Sequence, residues 1–357
     1  MTPTIASPKQ SASLAVTVAP SEIKAIDRSA CTICGTNGEP LYTALMDWLY
    51  GVPGEWNIRR CSGCEALWLD PQPISEDIAK LYVRYLTHAL PTKLPSFGRL
   101  QQAVAQCALS RAGYPVASSK ALLPRLLAHL PGAKRYARLT VLGLPPTDGG
   151  TLLDVGCGNG EFLSRIRSLG WRVYGVDPDP VAVVCGQRLG FEVFTGTIFD
   201  VPQDACYDVI TLNHVIEHVA DPLDFLRECR SRLRPGVGKL IITTPNASSL
   251  GHRWFGKFWR GLEVPRHFTI FSSSALRDCV KRAGFHLLSM STETRLGPMI
   301  YKQSHCGKAG ESDVGNRTDF ASRTKIAAHL FRLFQSLLVR TGNDVGEEIF
   351  CTCERSS

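Results

Sequence analysis

The pattern of apolar and polar positions in residues 151–180 predicts a strand, a glycine turn, a helix and a second strand. Residues 152–155 form a short apolar run of the kind that a buried parallel strand needs. The segment 161–169 then places apolar residues at helical spacing, and 173–176 is the next apolar run. Asp177 stands at the carboxyl end of this second strand. The rest of the chain is organised around this unit.

The alternation of strand and helix patterns continues to the end of the chain and predicts an α/β fold with a doubly wound sheet. Further strands are expected at 191–194, 207–212, 239–244, 285–291 and 347–353. Helices are expected at 180–189, after the Asp221-Pro222 pair, at 272–284 and at 326–339.

The glycine turn has a spacing that bears on its ligand. Gly156, Gly158 and Gly160 allow a tight turn and let a ligand approach the backbone without a Cβ in the way. An acid about 20 residues later, here Asp177, is placed to bond both hydroxyls of a ribose. A dinucleotide-binding turn would read GxGxxG, whereas this one reads GxGxG after an aspartate, Asp154. The spacing therefore favours S-adenosylmethionine (SAM) over NAD.

These residues resemble motif I and the following acidic position of class I SAM-dependent methyltransferases. Further on, the strand at 207–212, the run NHVIEHVADP at 213–222, the LRPG at 233–236 and the TPN at 244–246 follow in order. This series resembles the ubiquinone-biosynthesis type of small-molecule O-methyltransferase and its relatives. The resemblance covers about residues 151–246 and extends more weakly to residue 285.

The resemblance implies a Rossmann-like, seven-stranded sheet whose last strand is antiparallel. It also implies that SAM lies with its methionine part over the glycine turn and its ribose on Asp177. Thr197 and Ile198 occupy the place where the family often has an acid beside the adenine, so adenine contact would rest on backbone groups. The expected cofactor-binding residues are Asp154, Gly156, Cys157, Gly158, Gly160, Asp177, Pro178, Thr197, Ile198 and Asn213.

The chemistry of methyl transfer defines the catalytic candidates. Transfer from a sulfonium is an in-line displacement, and a hydroxyl nucleophile also needs a base nearby. His214 follows the strand at 207–212, close to where the strand order places the site, and is the first candidate base. His267 is the second. Glu217 and His218 either brace the loop or, together with His214, hold a divalent metal ion.

Two Cys-x-x-Cys pairs near the N-terminus predict a structural zinc site. Cys31 and Cys34 form the first pair, and Cys61 and Cys64 form the second. Each pair makes a turn whose thiolates converge, and two turns complete a tetrahedral S4 shell. Residues 59–73 look like the end of a zinc-ribbon module found ahead of some SAM-dependent methyltransferases, including sugar-modifying ones. Two separate disulfides are the alternative.

We divide the chain into a disordered lead (1–28), a zinc ribbon (29–73), a basic helical segment or cap (74–147) and a SAM-binding domain (148–357). An aromatic and basic insertion at 248–268 follows the fifth strand. Its rings either form a lid over the acceptor, touch a membrane, or simply pack in the core. These rings are Trp254, Phe255, Phe258 and Trp259.

The net charge of +8 is concentrated in one region. Residues 78–147 contain ten Lys or Arg and no Asp or Glu, and the helical pattern at 121–144 is amphipathic as well as basic. This excess either binds an anionic partner, such as a phosphate-bearing acceptor, or is a solvated helical face. Contact of this segment with a membrane surface is a further alternative.

Composition narrows the class of protein. The chain has 44% hydrophobic and 20% charged residues, and no apolar run reaches the ~20 residues that span a bilayer. Thirteen cysteines cannot all pair, which favours reduced thiols and a cytoplasmic location.

We expect a class I SAM-dependent methyltransferase with SAM and a structural Zn²⁺ as cofactors. The expected acceptor is a small molecule, first a sugar, nucleotide-sugar or lipid-linked glycan that is methylated on oxygen. RNA methylation with the ribbon and basic segment holding a phosphate backbone is the second hypothesis. A non-enzymatic adaptor that binds SAM or zinc is the third.

Overall fold

The computed structural model describes residues 23–83, 99–312, 314–315, 317 and 319–356; most of the predicted disordered lead, 1–28, lies outside them. The strands are β1 Ala25–Ile26, β2 Gly38–Leu45, β3 Trp56–Cys61, β4 Leu67–Asp70, β5 Gln72–Pro73, β6 Thr151–Val155, β7 Arg172–Asp177, β8 Glu192–Thr195, β9 Val209–Asn213, β10 Lys239–Pro245, β11 Thr269–Ile270, β12 Phe285–Glu293 and β13 Glu348–Arg355. The α-helices are α1 Arg99–Arg111, α2 Leu122–Leu127, α3 Pro131–Thr140, α4 Glu161–Arg167, α5 Pro180–Arg188, α6 Pro222–Ser231, α7 Leu250–Phe255, α8 Ser273–Arg282, α9 Gly297–Lys308 and α10 Ser322–Arg340.

The main sheet has seven strands in the order β12-β13-β10-β9-β6-β7-β8. Strands β6 to β10 pair in parallel, and β13 runs antiparallel to both β10 and β12. The predicted doubly wound sheet with an antiparallel last strand is therefore confirmed. The order reverses between β6 and β9, which places the ligand-binding crevice at the carboxyl ends of these two strands.

Both faces of the sheet are covered, because the strands are apolar at consecutive positions. Leu152 packs with α1, α3, α4 and α5 on one face, while Leu153 packs with α6 and α8 on the other. The predicted amphipathic helix at 121–144 is in fact two helices, α2 and α3. Pro131 begins the second of them, since proline fits the first turn but interrupts a continuous helix.

A second, four-stranded sheet has the order β11-β4-β3-β2. Its strand β11 comes from the methyltransferase half of the chain and pairs antiparallel with β4, so that Thr269 lies opposite Trp68. The hydroxyl of Ser272 also donates to the Cys64 carbonyl at 2.8 Å. The zinc-ribbon region thus shares a sheet with the segment that directly follows His267, because β11 satisfies the free edge of β4.

Helices α7, α9 and α10 form a cap beside the ends of β10 and β13. The amide of Gln335 in α10 donates to Glu347 Oε1 at 2.7 Å, and the same carboxylate accepts from the backbone of Gly251 in α7. In the part of the chain that the structure describes, we find no helix with the length and apolar character to cross a bilayer.

Candidate active site and metal centre

The glycine turn after β6 forms an open cradle. Gly156, Gly158 and Gly160 have φ values of 69°, 53° and 77°, in the left-handed region that favours glycine. A Cβ at Gly158 would have no atom within 4 Å, so this backbone faces open space. The Gly158 N–H donates to Asp177 Oδ2 at 2.8 Å, which fixes the turn against the end of β7. The geometry fits a ligand lying on the turn and bonded to Asp177.

Two of the predicted cofactor residues support this cradle from within. Asp154 is buried under the turn, and its Oδ1 accepts from the Thr211 hydroxyl at 2.6 Å. Burial raises the pKa of Asp154 to about 7. The side chain of Cys157 is buried as well; its Sγ would lie 2.7 Å from a Cβ on Gly175. The Cys157 side chain therefore points into the core, and residue 175 must be a glycine to leave room for it.

In the predicted adenine loop, the side chains of Thr197 and Ile198 have different surroundings. Ile198 is fully buried in the core, so its side chain leaves no surface for an adenine ring. Thr197 is exposed, but its Oγ1 accepts from the Phe199 N–H and so caps the turn that follows. Phe199 is half exposed and packs edge-on against Phe225. Sequence reasoning missed this ring, which is exposed two residues after Thr197.

Pro178 and Asn213 lie at the predicted strand ends. Pro178 is exposed directly after Asp177. Asn213 ends β9, and its Oδ1 accepts from the Thr243 hydroxyl of β10 at 2.6 Å. The loop after Asn213 reaches the glycine turn, because a Cβ on Gly156 would meet Val215 Cγ2 at 2.7 Å. The cradle and this loop are therefore in direct contact.

His214, the first candidate base, lies between two buried carboxylates. It donates from Nδ1 to Glu217 at 3.1 Å and from Nε2 to Glu348 at 2.9 Å. Burial alone would lower the pKa of His214, but the two hydrogen-bonded carboxylates outweigh it and raise the pKa to about 10. The ring is thus an imidazolium with no free lone pair at neutral pH. The assignment of His214 as a general base is therefore wrong for this arrangement.

Glu217, His218 and His267 form a cluster at the same strand end. Their ligand atoms all lie within 4.8 Å of one another. The rings of His218 and His267 stand 4.8 Å apart, centre to centre. Glu217 is fully buried, and its Oε2 accepts from the Thr244 hydroxyl at 2.9 Å. The second predicted base, His267, therefore belongs to a group that includes Glu217 and His218 but not His214.

Backbone carbonyls fix the tautomer of both rings. His218 Nδ1 lies 2.9 Å from the Arg266 carbonyl, and His267 Nδ1 lies 2.8 Å from the Gly261 carbonyl. Because a carbonyl only accepts, each Nδ1 carries a proton, and the Tyr82 hydroxyl also lies 3.0 Å from His218 Nδ1. Burial also lowers the pKa of His267 to about 4, so this ring stays neutral. The cluster therefore offers the Nε2 of His267 as a proton-accepting nitrogen, which lies 3.6 Å from Glu263 Oε2.

The same three side chains have a donor set that suits a divalent cation. Imidazoles and carboxylates are common ligands of first-row metals. Ligating histidines usually donate their other ring N–H to a carbonyl or carboxylate, as His218 and His267 do here. The metal set predicted from the sequence included His214; the structure replaces it with His267, because His214 turns toward Glu348.

A buried ion-pair network holds the residue before His267. Arg266 is fully buried and donates from both terminal nitrogens to Asp47, at 2.8 and 3.0 Å. Its Nε also donates to Glu263 at 3.2 Å, and its guanidinium lies 4.4 Å from the centre of the Tyr50 ring. Asp47 belongs to the loop after β2. The network therefore joins the N-terminal region to the candidate active site.

The aromatic rings of the insertion mainly pack inside the protein. Phe255 and Trp259 are buried, and Trp259 Nε1 donates to Glu347 at 2.9 Å. Phe258 is partly buried, whereas Trp254 is 57% exposed. Trp254 and Phe255 both lie beside Phe331 of α10. Of the alternatives drawn from the sequence, packing accounts for Phe255 and Trp259, and Trp254 alone presents its ring to the outside.

The four predicted zinc ligands converge as free thiols. Cys31 Sγ lies 3.6 Å from Cys64 Sγ, and Cys34 Sγ lies 3.3 Å from Cys61 Sγ. Thiolates that share one zinc at ~2.3 Å stand ~3.8 Å apart, close to these distances. The backbone N–H groups of Gly63 and Cys64 both donate to Cys61 Sγ at 3.4 Å. The residues present therefore fit a closed, structural zinc site.

Metal analysis checks this site directly. We expect about one zinc per purified chain and its loss in a Cys31→Ser variant, because three thiolates leave the tetrahedral shell incomplete. Cys206→Ser, which changes an exposed cysteine outside the cluster, is the matched control and should keep the metal. Equal zinc in the Cys31→Ser variant, measured by plasma mass spectrometry, would contradict the assignment.

The fold and the cradle together define a class I SAM-binding domain. Residues 126–290 match a family model described as a methyltransferase domain. This segment is therefore similar to the methyltransferase domains that the family model describes. The chain is also similar to the ubiquinone biosynthesis O-methyltransferase of Cereibacter sphaeroides, with 37% identity over 152 residues that cover 39% of this chain and 61% of the relative. The chain thus spans less than two thirds of the length of this relative.

Two other proteins are similar to this chain over different shares of their length. The ubiquinone biosynthesis O-methyltransferase of a Caulobacter species is 35% identical over 112 residues, which cover 29% of this chain and 44% of the relative. Among solved structures, a SAM-dependent methyltransferase from Thermotoga maritima has 19% identity and a TM-score of 0.40, covering 62% of this chain and 90% of that one.

Proposed function

We propose that the chain transfers the methyl group of SAM to a hydroxyl oxygen of a small-molecule acceptor. The observation that carries this proposal is the cluster of His218, His267 and Glu217, in which the neutral ring of His267 keeps a lone pair on Nε2. His218 follows β9, the strand that neighbours β6 and its glycine turn, and the ring of His267 lies 4.8 Å from that of His218. A hydroxyl must lose a proton as it attacks, and neutral imidazoles within hydrogen-bonding reach accept it.

Each group has a part in this reaction. SAM, when bound, supplies the electrophilic methyl group. The glycine turn and Asp177 hold its methionine and ribose, and the loop that contains Val215 closes against the turn. His267 accepts the hydroxyl proton at Nε2, and its Nδ1–H stays on the Gly261 carbonyl. A divalent cation held by Glu217, His218 and His267 would instead lower the pKa of the bound hydroxyl.

The imidazolium of His214 has a different part. Its positive charge is shared between two buried carboxylates, Arg295 pairs with the second of them, Glu348, at 3.3 Å, and the His214 side chain is 30% exposed. It thereby keeps Glu217 ionised; although burial opposes ionisation, the hydrogen bond and charge of His214 lower the pKa of Glu217 to about 2. An ionised Glu217 is what either a proton-accepting cluster or a cation site requires.

The acceptor is a separate part of the proposal. The name of the relatives, ubiquinone biosynthesis O-methyltransferase, favours a hydroxyl on a quinone-type precursor. Sugars, nucleotide-sugars and lipid-linked glycans, predicted from the ribbon and the basic segment, are the next candidates. Part of the basic excess is already neutralised inside the protein, since Arg135 pairs with Glu293 at 2.8 Å. This pairing weakens the argument for a phosphate-bearing acceptor or RNA.

A panel assay tests the acceptor class. Labelled SAM is incubated with the full chain and, separately, with hydroxyquinols, catechols, nucleotide-sugars and tRNA. We expect label in the phenolic acceptors. Label in tRNA alone would contradict a small-molecule acceptor, and label in nucleotide-sugars alone would move the assignment to a sugar hydroxyl.

Replacing Asp177 tests the donor site independently of the acceptor. An Asp177→Ala variant is expected to bind SAM about 100-fold more weakly, because it loses charge-assisted hydrogen bonds to the ribose and the anchor of Gly158. Calorimetry measures the affinity. Asp204→Ala removes the same charge from an exposed position and should leave the affinity unchanged. Unaltered binding by Asp177→Ala would refute this donor site.

A further inference from the structure

Helix α10 carries an apolar face that nothing in the described chain covers. Its inward face packs through Ala328, Phe331 and Gln335, all buried. A second set of large apolar side chains points away from the protein, and each is between 50% and 62% exposed. This set, here called the outer face, consists of Ile326, Leu330, Leu333, Phe334 and Leu337. A helix that needs only one buried face would normally have polar residues there.

The insertion contributes one exposed ring beside α10. Trp254 of α7 is 57% exposed, and its ring lies 6.2 Å from that of Phe331, on the flank of α10. A tryptophan beside an exposed leucine row is a common feature of surfaces that enter the boundary between water and lipid. Trp254 therefore exposes its ring at the side of α10, next to Phe331 of the inward face.

The charged residues around the outer face indicate what kind of surface it binds. Helix α10 has four exposed basic residues and no acidic residue; the four are Arg323, Lys325, Arg332 and Arg340. Arg253 and Lys257, beside Trp254, are exposed as well. A second copy of the chain on this face would bring two such basic helices together and would be repelled. An anionic lipid surface matches both the leucine row and the surrounding cations.

We propose that α10 and Trp254 bind the surface of an anionic bilayer. The helix has 19 residues, so it is ~28 Å long and would lie flat, with its leucines in the acyl boundary and its cations at the headgroups. Gln335 ties the inward face to Glu347, which also accepts from Trp259. The bound surface is thus connected through two hydrogen bonds to the insertion that leads to His267.

Vesicle sedimentation of the full chain tests the proposal without any assay of activity. The chain should bind vesicles of phosphatidylcholine with about 30% phosphatidylglycerol and bind pure phosphatidylcholine at least about tenfold more weakly. Leu330→Ser/Leu333→Ser should lower binding to the anionic vesicles by at least about tenfold. The matched control, Val237→Ser/Leu288→Ser, removes two exposed apolar side chains elsewhere and should bind as the wild type does.

Further measurements keep the test decisive. The thermal midpoint of the Leu330→Ser/Leu333→Ser variant should stay within about 2 °C of the wild type, since both side chains are exposed. Arg332→Gln/Arg340→Gln should weaken anionic binding while keeping the leucines. No wild-type binding, or equal binding by the leucine variant and the control, would overturn the proposal. A dimer in analytical ultracentrifugation that the leucine variant abolishes would assign the face to a second copy instead.

Discussion

A His267→Ala variant is expected to transfer methyl groups about 10²–10⁴-fold more slowly than the wild type, which is the usual contribution of a positioned base. The ring is buried and neutral, and its Nε2 is the lone pair that stays free when Nδ1 bonds to Gly261. SAM should bind normally, because His267 lies outside the glycine turn. Transfer of label to the best acceptor of the panel, together with calorimetry, separates the two effects.

Two controls make this result specific. His286→Ala removes an exposed imidazole and should leave the rate unchanged. Thermal unfolding of His267→Ala shows whether the variant is folded under the assay conditions. Treatment of the wild type with EDTA then distinguishes the two ways in which the cluster can act. If activity survives chelation, the ring of His267 accepts the proton of the acceptor hydroxyl. If chelation abolishes activity and a divalent cation restores it, a bound metal ion activates that hydroxyl. Full activity of His267→Ala would contradict both.

The parts of the fold that follow local patterns could be predicted from the sequence. The central strands β6 and β9 are nearly continuous apolar runs, because both faces of the parallel sheet are buried there. The four cysteines and the glycine turn could be identified for the same reason, because each motif consists of residues that are close in the sequence. The contact of Asp47 with Arg266 joins residues 219 positions apart, and neither residue lies in a motif. The pattern of apolar and polar residues in a single sequence gives no sign of such a long-range pair.

The candidate site shows why spacing alone misassigned one histidine. His214 and His218 are four residues apart and would share a face if the segment were helical. His214 instead has a φ of 57°, and only Ile216–His218 form a short 3₁₀ turn. The two rings therefore diverge, so that His214 meets Glu348 and His218 meets His267. The partner of each ring comes from a distant segment, β13 in one case and the end of the insertion in the other.

The contact between the N-terminal region and the active site gives the largest expected effect on stability. An Asp47→Ala variant should lose about 3–5 kcal/mol of unfolding free energy, the usual cost of leaving one partner of a buried ion pair alone. Arg266 would keep Glu263 as its remaining carboxylate partner, and the backbone N–H groups of Leu49, Tyr50 and Val52 would lose their acceptor. Urea denaturation followed by circular dichroism measures the change.

The matched comparison for Asp47→Ala is a solvent-exposed ion pair in the same N-terminal region. Arg60 and Glu65 are each more than half exposed, so Arg60→Ala should cost less than about 1 kcal/mol. Asp47→Asn keeps the shape and one acceptor oxygen, and it should fall between the two. Because Arg266 precedes His267, the Asp47 variants should also slow transfer at temperatures where they remain folded, while SAM affinity is kept. An Asp47→Ala variant as stable as Arg60→Ala would mean that the buried pair does not hold the N-terminal region against the active site.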